Sequence, residues 1–255
     1  MSREVSYDLI VEKVKHLCIE TNCIMPDEIK SAMKKSEEIE SSIVGKSVLN
    51  KLIENARIAE NENIPICQDT GLSVFLVELG VDVVISGKSR LITDAINEGV
   101  AAGYSEGYLR YSVVSDPVFD RKNTGNNTPA FISIDLVNGS DIRISFMPKG
   151  AGSENVSTLK MFNPSDTTDD IIDFVVNTVV QANGNPCPPV IIGIGIGGTF
   201  DKAAHLAKRA LFRDINQRNS DGNYSNLEKT ILEKINQVGI DNLTQDECDF
   251  LNNQK

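Results

Sequence analysis

Tryptophan is absent from this chain, aromatic residues make up only 5% of it, and 255 residues include just two histidines. A core built from such a sequence must rest mainly on Ile, Val, Leu and Ala. Neither His16 nor His205 lies beside a cysteine or serine nucleophile in sequence, and no H-E-x-x-H or C-x-x-C spacing occurs, which argues against a zinc site. No apolar run reaches the ~20 residues needed to span a bilayer. The first residues, MSREVSYDLIVEKVKHLC, form a charged amphipathic pattern without the apolar stretch of a signal peptide. A cytoplasmic location without a membrane partner is therefore expected. The five cysteines are an odd number in a chain of this size and do not suit a disulfide scaffold. A formal net charge of -11 repels phosphate backbones and argues against nucleic acid as a partner. It leaves room for a small anionic ligand, because local charge at a site can oppose the global charge.

Hydrophobic residues at 40% and charged residues at 24% are ordinary for a globular chain long enough to bury a sizeable core. Residues 4–60 read as helices. Leu9, Val11, Val14, Leu17 and Cys18 recur at helical spacing, Pro26 breaks the pattern, Asp27 is placed to cap a second helix, and Ser47–Glu60 carries a third apolar face. Gly71–Leu79 reads as a strand and Arg90–Tyr108 as a helix. Pro129–Val137 and Asp141–Met147 read as strands of a hairpin closed by Asn138-Gly139. Asp169–Ala182 is expected to be helical, Val190–Ile196 a buried strand, and Phe200–Phe212 and Leu227–Val238 helices. Early helices, central strands and one late strand–turn–helix unit predict an α+β fold with antiparallel or mixed sheets and packed helices.

Three segments are dense in chemistry. Cys67-Gln68-Asp69-Thr70 puts a thiol, an amide, a carboxylate and a hydroxyl at the mouth of a strand; the plainer alternative is a capped turn with a buried cysteine. Lys149-Gly150-Ala151-Gly152-Ser153-Glu154-Asn155 permits close backbone approach, and successive amides can cradle an anion. A flexible surface loop is the commoner fate of such a run, and Ser153–Asn155 is placed to cap a helix after it. Asn183–Pro189 fixes Cys187 between prolines, as suits a pre-positioned ligand or a rigid loop. Gly193–Thr199 imitates a dinucleotide fingerprint, but its spacing is G-x-G-x-G-G and no βαβ unit frames it, so close packing of a strand on a helix is favoured. Cys18 and Cys23 read as core and loop cysteines. Carboxylates surround Cys248 and make it a poor reactive thiol.

Together, CQDTG at 67–71, NTGNNTPA at 123–130, KGAGSENVSTLKM at 149–161 and CPPVIIGIGIGGTFDKAA at 187–204 resemble the motifs of the class I, iron–sulfur fumarase and L-tartrate dehydratase family, in the same order and at similar spacing. The match runs from the N-terminal helices to about Gly239, and the chain resembles the α chain of members split into α and β. The resemblance implies a hydro-lyase interconverting a 2-hydroxy dicarboxylic acid and its dehydrated product. It implies a [4Fe–4S] cluster with Cys67 and Cys187 as thiolate ligands, Asp69 as acid, and Gln68, Arg110 and Gly150 as substrate contacts. The base and further carboxylate anchors belong to a β subunit, so a hetero-oligomer is expected, with residues 1–240 as the cluster-binding catalytic domain. Two departures are visible. Ala151 stands where the family usually has glycine. The family's third cysteine lies beyond the last helix, whereas here the tail 241–255 diverges and Cys248 comes too early, so a truncated or replaced C-terminus is expected. An inactive member serving as a binding or assembly subunit is the alternative; a dinucleotide-binding oxidoreductase is a remote third.

Overall fold

The structure, a computed structural model, describes residues 2–187 and 189–241. Its elements are β1 (Arg3–Ser6), α1 (Tyr7–Cys23), α2 (Asp27–Ile39), α3 (Ile43–Glu62), β2 (Leu72–Gly80), β3 (Val83–Ser86), α4 (Ile92–Glu106), β4 (Phe131–Val137), β5 (Ile142–Lys149), α5 (Ala151–Glu154), α6 (Thr168–Ala182), α7 (Phe200–Ala210) and α8 (Gly222–Asp241). Helices packed beside small mixed sheets make this an α+β fold, as the sequence predicts. Two compact units emerge, one of residues 2–30 and 50–151, the other of 31–49 and 152–241.

In the first unit α1 lies against α4. Ser6 starts α1 by accepting the Leu9 N–H at 3.2 Å on its side chain. The buried face of α4 is Ile92, Ala95, Ile96, Gly99, Val100, Gly103 and Tyr104, a run of three- and four-residue steps. It meets Ile10, Val14 and Cys18 of α1 together with Phe75 and Val77 of β2 in one core. Burying side chains such as Val14, Ile96 and Val100 completely contributes ~1.5–3 kcal/mol each.

The central sheet has the order β4-β2-β5, with β2 parallel to β4 and antiparallel to β5. The expected hairpin is therefore wrong in its pairing: its two strands exist, but β2 lies between them. The turn at Asn138-Gly139 crosses the end of β2, where Val81 N–H donates to the Val137 carbonyl and Asp82 N–H to the Gly139 carbonyl, both at 3.0 Å. β1, which the helical reading of residues 4–60 passed over, pairs in parallel with β3.

The second unit centres on α6 and α8, where Ile172, Val175, Val176 and Ile231 are buried together. A capping box between Thr167 and Asp170 starts α6. The expected strand at Val190–Ile196 joins no ladder among the described residues, and Val190 and Ile191 are about half exposed. Its glycines explain why the segment still packs. A Cβ on Gly193 would strike the Ala207 carbonyl, and one on Gly195 the Ala203 carbonyl, so the extended chain lies directly on the backbone of α7. That bears out close packing on a helix. No helix starts after Ser153-Glu154-Asn155 either; Ser153 and Glu154 instead end the four-residue α5. Cys248 and nearly all of the divergent tail lie outside the described residues.

Two predictions test this packing. A Cβ on Gly99 would lie 2.6 Å from Val14 Cβ and 2.8 Å from the Val11 carbonyl oxygen. Overpacking costs ~1–3 kcal/mol and exceeds the ~1 kcal/mol gain in helix propensity. Gly99→Ala should therefore lower unfolding free energy in denaturant titration, and a gain would show that α1 and α4 pack less closely. Burial pushes the Cys18 thiol from 9.0 up to about 12. The folded state thus retains a proton that the unfolded chain releases, and its stability contribution, intact below pH 9, is lost between pH 9 and 12. Cys18→Ala should flatten the fall of stability with pH over that window.

Candidate active site

The loop Cys67–Gly71 joins α3 to β2, and Gly71 takes a left-handed φ of +70°. Cys67 and Gln68 are exposed and Asp69 is half-buried. The Asp69 N–H donates to Cys67 Sγ at 3.4 Å, and the Cys67 thiol donates to Gln68 Oε1 at 3.6 Å. Both carboxylate oxygens of Asp69 accept backbone N–H groups: Oδ1 from Gly71 at 3.2 Å and Oδ2 from Ala151 at 3.1 Å. Gly150 sits immediately below, and a Cβ there would come within 3.3 Å of Asp69 Oδ2. The first two chemistry-bearing segments thus meet through a single carboxylate, which keeps a second lone pair on each oxygen.

Arg110 belongs to the same place. Its carbonyl accepts the Thr70 hydroxyl at 2.9 Å, while its side chain is exposed. Among the described residues its guanidinium forms no ion pair, unlike Lys15, Lys30, Arg57 and Lys88 of the same unit. Lys149, read as a positive charge for an anion cradle, is instead largely buried at the end of β5.

Beneath the loop lies a buried polar layer that the sequence reading did not assign. The Tyr104 hydroxyl donates to the Thr70 carbonyl at 2.7 Å, and desolvation raises its pKa to about 12, so it stays a donor across the physiological range. Asn127 Nδ2 donates to the Gly71 carbonyl at 3.2 Å and to Ser73 Oγ at 3.1 Å. Tyr104, Asn127 and Ser73 are fully buried. A tyrosine on the apolar face of α4 was the available signal, since a buried hydroxyl requires a partner.

In the second unit Cys187 is exposed, following the loop that ends α6. That loop approaches the start of the Gly152–Asn155 segment: a Cβ on Gly152 would lie 2.9 Å from the Asn185 carbonyl oxygen. Glu154 forms an ion pair with Lys208 of α7.

The thiols sort by environment. Cys18 and Cys23 are buried, and burial raises both pKa values, as suits inert packing residues. Cys67 and Cys187 are free and exposed, so both thiols are accessible at the surface. Among the described residues no three His, Cys, Asp or Glu side chains gather in a geometry that could hold a metal ion.

Comparison with known proteins agrees with these motifs. The family model described as fumarate hydratase (Fumerase) matches residues 11–242. A Methanocaldococcus jannaschii protein named, provisionally, L(+)-tartrate dehydratase subunit alpha is 42% identical over 237 residues, covering 91% of this chain and 81% of the relative. The L(+)-tartrate dehydratase subunit alpha of Escherichia coli strain UTI89 is 28% identical over 243 residues, covering 94% and 78%. That of strain K12 is 27% identical over the same length. The chain therefore belongs to the fumarate hydratase (Fumerase) family of hydro-lyases.

Proposed function

We propose that this chain is the alpha subunit of an iron–sulfur-dependent hydro-lyase that interconverts a 2-hydroxy dicarboxylic acid of malate or tartrate type and its dehydrated product, of fumarate or oxaloacetate type. Residues 1–240 form its catalytic part, and a β subunit completes the site in a hetero-oligomer. The relatives named as alpha subunits support the division of labour. The observation that carries the chemistry is the Asp69 carboxylate, fixed by the N–H groups of Gly71 and Ala151 and flanked by the free thiol Cys67.

In this reading Cys67 and Cys187 are thiolate ligands of a [4Fe–4S] cluster. Such a centre supplies Lewis acidity, which makes hydroxide a tolerable leaving group. Asp69 holds the proton that passes to the departing oxygen, or takes it back in the hydration direction. Backbone donors restrict that carboxylate to one orientation, so no rotamer search precedes proton transfer. Arg110 pairs with a substrate carboxylate, for which a planar guanidinium offers two parallel N–H donors. Gln68 and the backbone of Gly150 contact substrate on either side of Asp69. The base that removes the carbon-bound proton comes from the β subunit. The cytoplasm, a reducing compartment, keeps exposed Cys67 and Cys187 as thiols.

The test is anaerobic reconstitution of the full chain with iron and sulfide, with and without the β partner. Binding of about four irons per chain is expected, with Cys67→Ala and Cys187→Ala each abolishing it. If no cluster forms even with the partner, the catalytic reading fails and a binding or assembly role takes its place. In the active complex, Asp69→Asn should lower kcat by about 10²–10⁴-fold with far-UV circular dichroism unchanged. Arg110→Lys should raise KM for the dicarboxylate by about tenfold, since an ammonium cannot make the paired contact. An unchanged KM would remove Arg110 from the substrate.

A further inference from the structure

The motif Asn123–Ala130 has no part in the chemistry above, yet its side chains converge. Asn123 Nδ2 donates to the Tyr111 carbonyl at 2.9 Å. The Thr124 N–H donates to the Val113 carbonyl at 3.0 Å, and its hydroxyl points to the same oxygen. Asn127 Oδ1 accepts the Ser112 N–H at 2.6 Å. The three residues directly after Arg110 are thus gripped in succession by one short stretch of chain. Asn127 also faces the other way, its Nδ2 donating to the Gly71 carbonyl and to Ser73 Oγ.

One carboxamide therefore bridges the segment that carries Arg110 and the turn that ends the Cys67–Asp69 loop. The residue type follows from the site. The bridge needs a donor and an acceptor on one short side chain, which asparagine supplies in neutral form. The backbone at 127 has φ +59°, a left-handed conformation that asparagine tolerates better than most residues. Asn127 is fully buried, so its carboxamide makes these three bonds without competition from solvent.

We propose that Asn127 is a positioning residue which holds Arg110 and Asp69 at a fixed separation, so that the carboxylate-binding and proton-transfer groups move as one body. This rests on the roles given to those two residues above. The Thr70 hydroxyl on the Arg110 carbonyl is a second, parallel tie.

The informative variant is Asn127→Gly, because glycine adopts φ +59° without strain and only the carboxamide is lost. Val14→Ala, in the core between α1 and α4 and outside the bridge's hydrogen bonds, serves as the control for general destabilisation. In hydrogen-exchange mass spectrometry of the full chain, peptides spanning residues 67–73 and 110–114 should both exchange about tenfold faster in Asn127→Gly than in the control. Acceleration of only one segment, or of neither, overturns the coupling. In the complex with the β subunit, Asn127→Gly should lower kcat and raise KM for the dicarboxylate, each by about tenfold, because both groups lose register. Wild-type values for either constant overturn the positioning role, whatever the exchange shows. A wild-type complex that turns over no dicarboxylate sinks the hydro-lyase reading instead, and the exchange data then decide the bridge alone.

Discussion

The backbone of Gly71 lies against that of Lys149, and the candidate site is built outward from this approach. A Cβ at position 71 would sit 2.6 Å from the Lys149 carbonyl carbon and 2.9 Å from its nitrogen, and the φ of +70° is one that other residues rarely adopt. The contact fixes where β2 begins and β5 ends, with Leu72 opposite Lys149 in the ladder. The Cys67–Thr70 loop and the Gly150–Ala151 turn therefore leave the sheet at the same corner, and the Asp69 carboxylate reaches the Ala151 amide. The Gly71 carbonyl in turn accepts from Tyr104 and Asn127, so two other parts of the unit are anchored to the same residue. A side chain at 71 would disturb every one of these bonds.

Fold features set by local rules were legible. The three- and four-residue spacing along Ile92–Tyr104 marks α4, and the polar break at Pro26 separates α1 from α2. Features set by distant pairing were not. Asn138-Gly139 has the composition of a tight hairpin turn, but that signal concerns four residues, whereas the insertion of β2 between β4 and β5 is decided some sixty residues away by the burial of Phe75 and Val77. The β-branched run Val190–Ile196 has strand propensity, which expresses a fit to a half-buried surface and is satisfied as well by the backbone of α7 as by a neighbouring strand. β1 is only four residues long and leads directly into α1, so its helical flank masked it.

The candidate site divides in the same way. Cys67, Asp69 and Gly150 stand out in sequence because a thiol, a carboxylate and flexible glycines are conspicuous in short loops. What holds them in place is less conspicuous. Tyr104 looks like one more apolar position of α4, and Asn127 like one polar residue in a polar turn. Their function depends on the groups each finds across the fold: the Thr70 carbonyl for one, the Gly71 carbonyl and Ser112 amide for the other. Residues that touch a reactant can be guessed from their chemistry, whereas residues that hold those in position are defined by contacts that the linear order does not contain.

Charge places the last demand on this arrangement. With a net charge of -11 the chain repels a dianion at long range, but over ~8 Å at physiological ionic strength screening leaves only nearby groups to matter. Many cations of the first unit are already engaged: Lys15 with Glu12 and Glu106, Lys30 with Asp27 and Glu60, Arg57 with Glu54, Lys88 with Glu98. Arg110 is exposed beside the Asp69 loop and, among the described residues, free of any such pair. A dicarboxylate bound there needs more than one cation to balance it, while Asp69 adds a further negative charge when ionised. In the proposed reading, a catalytic site assembled on this corner takes its remaining positive charge from the β subunit.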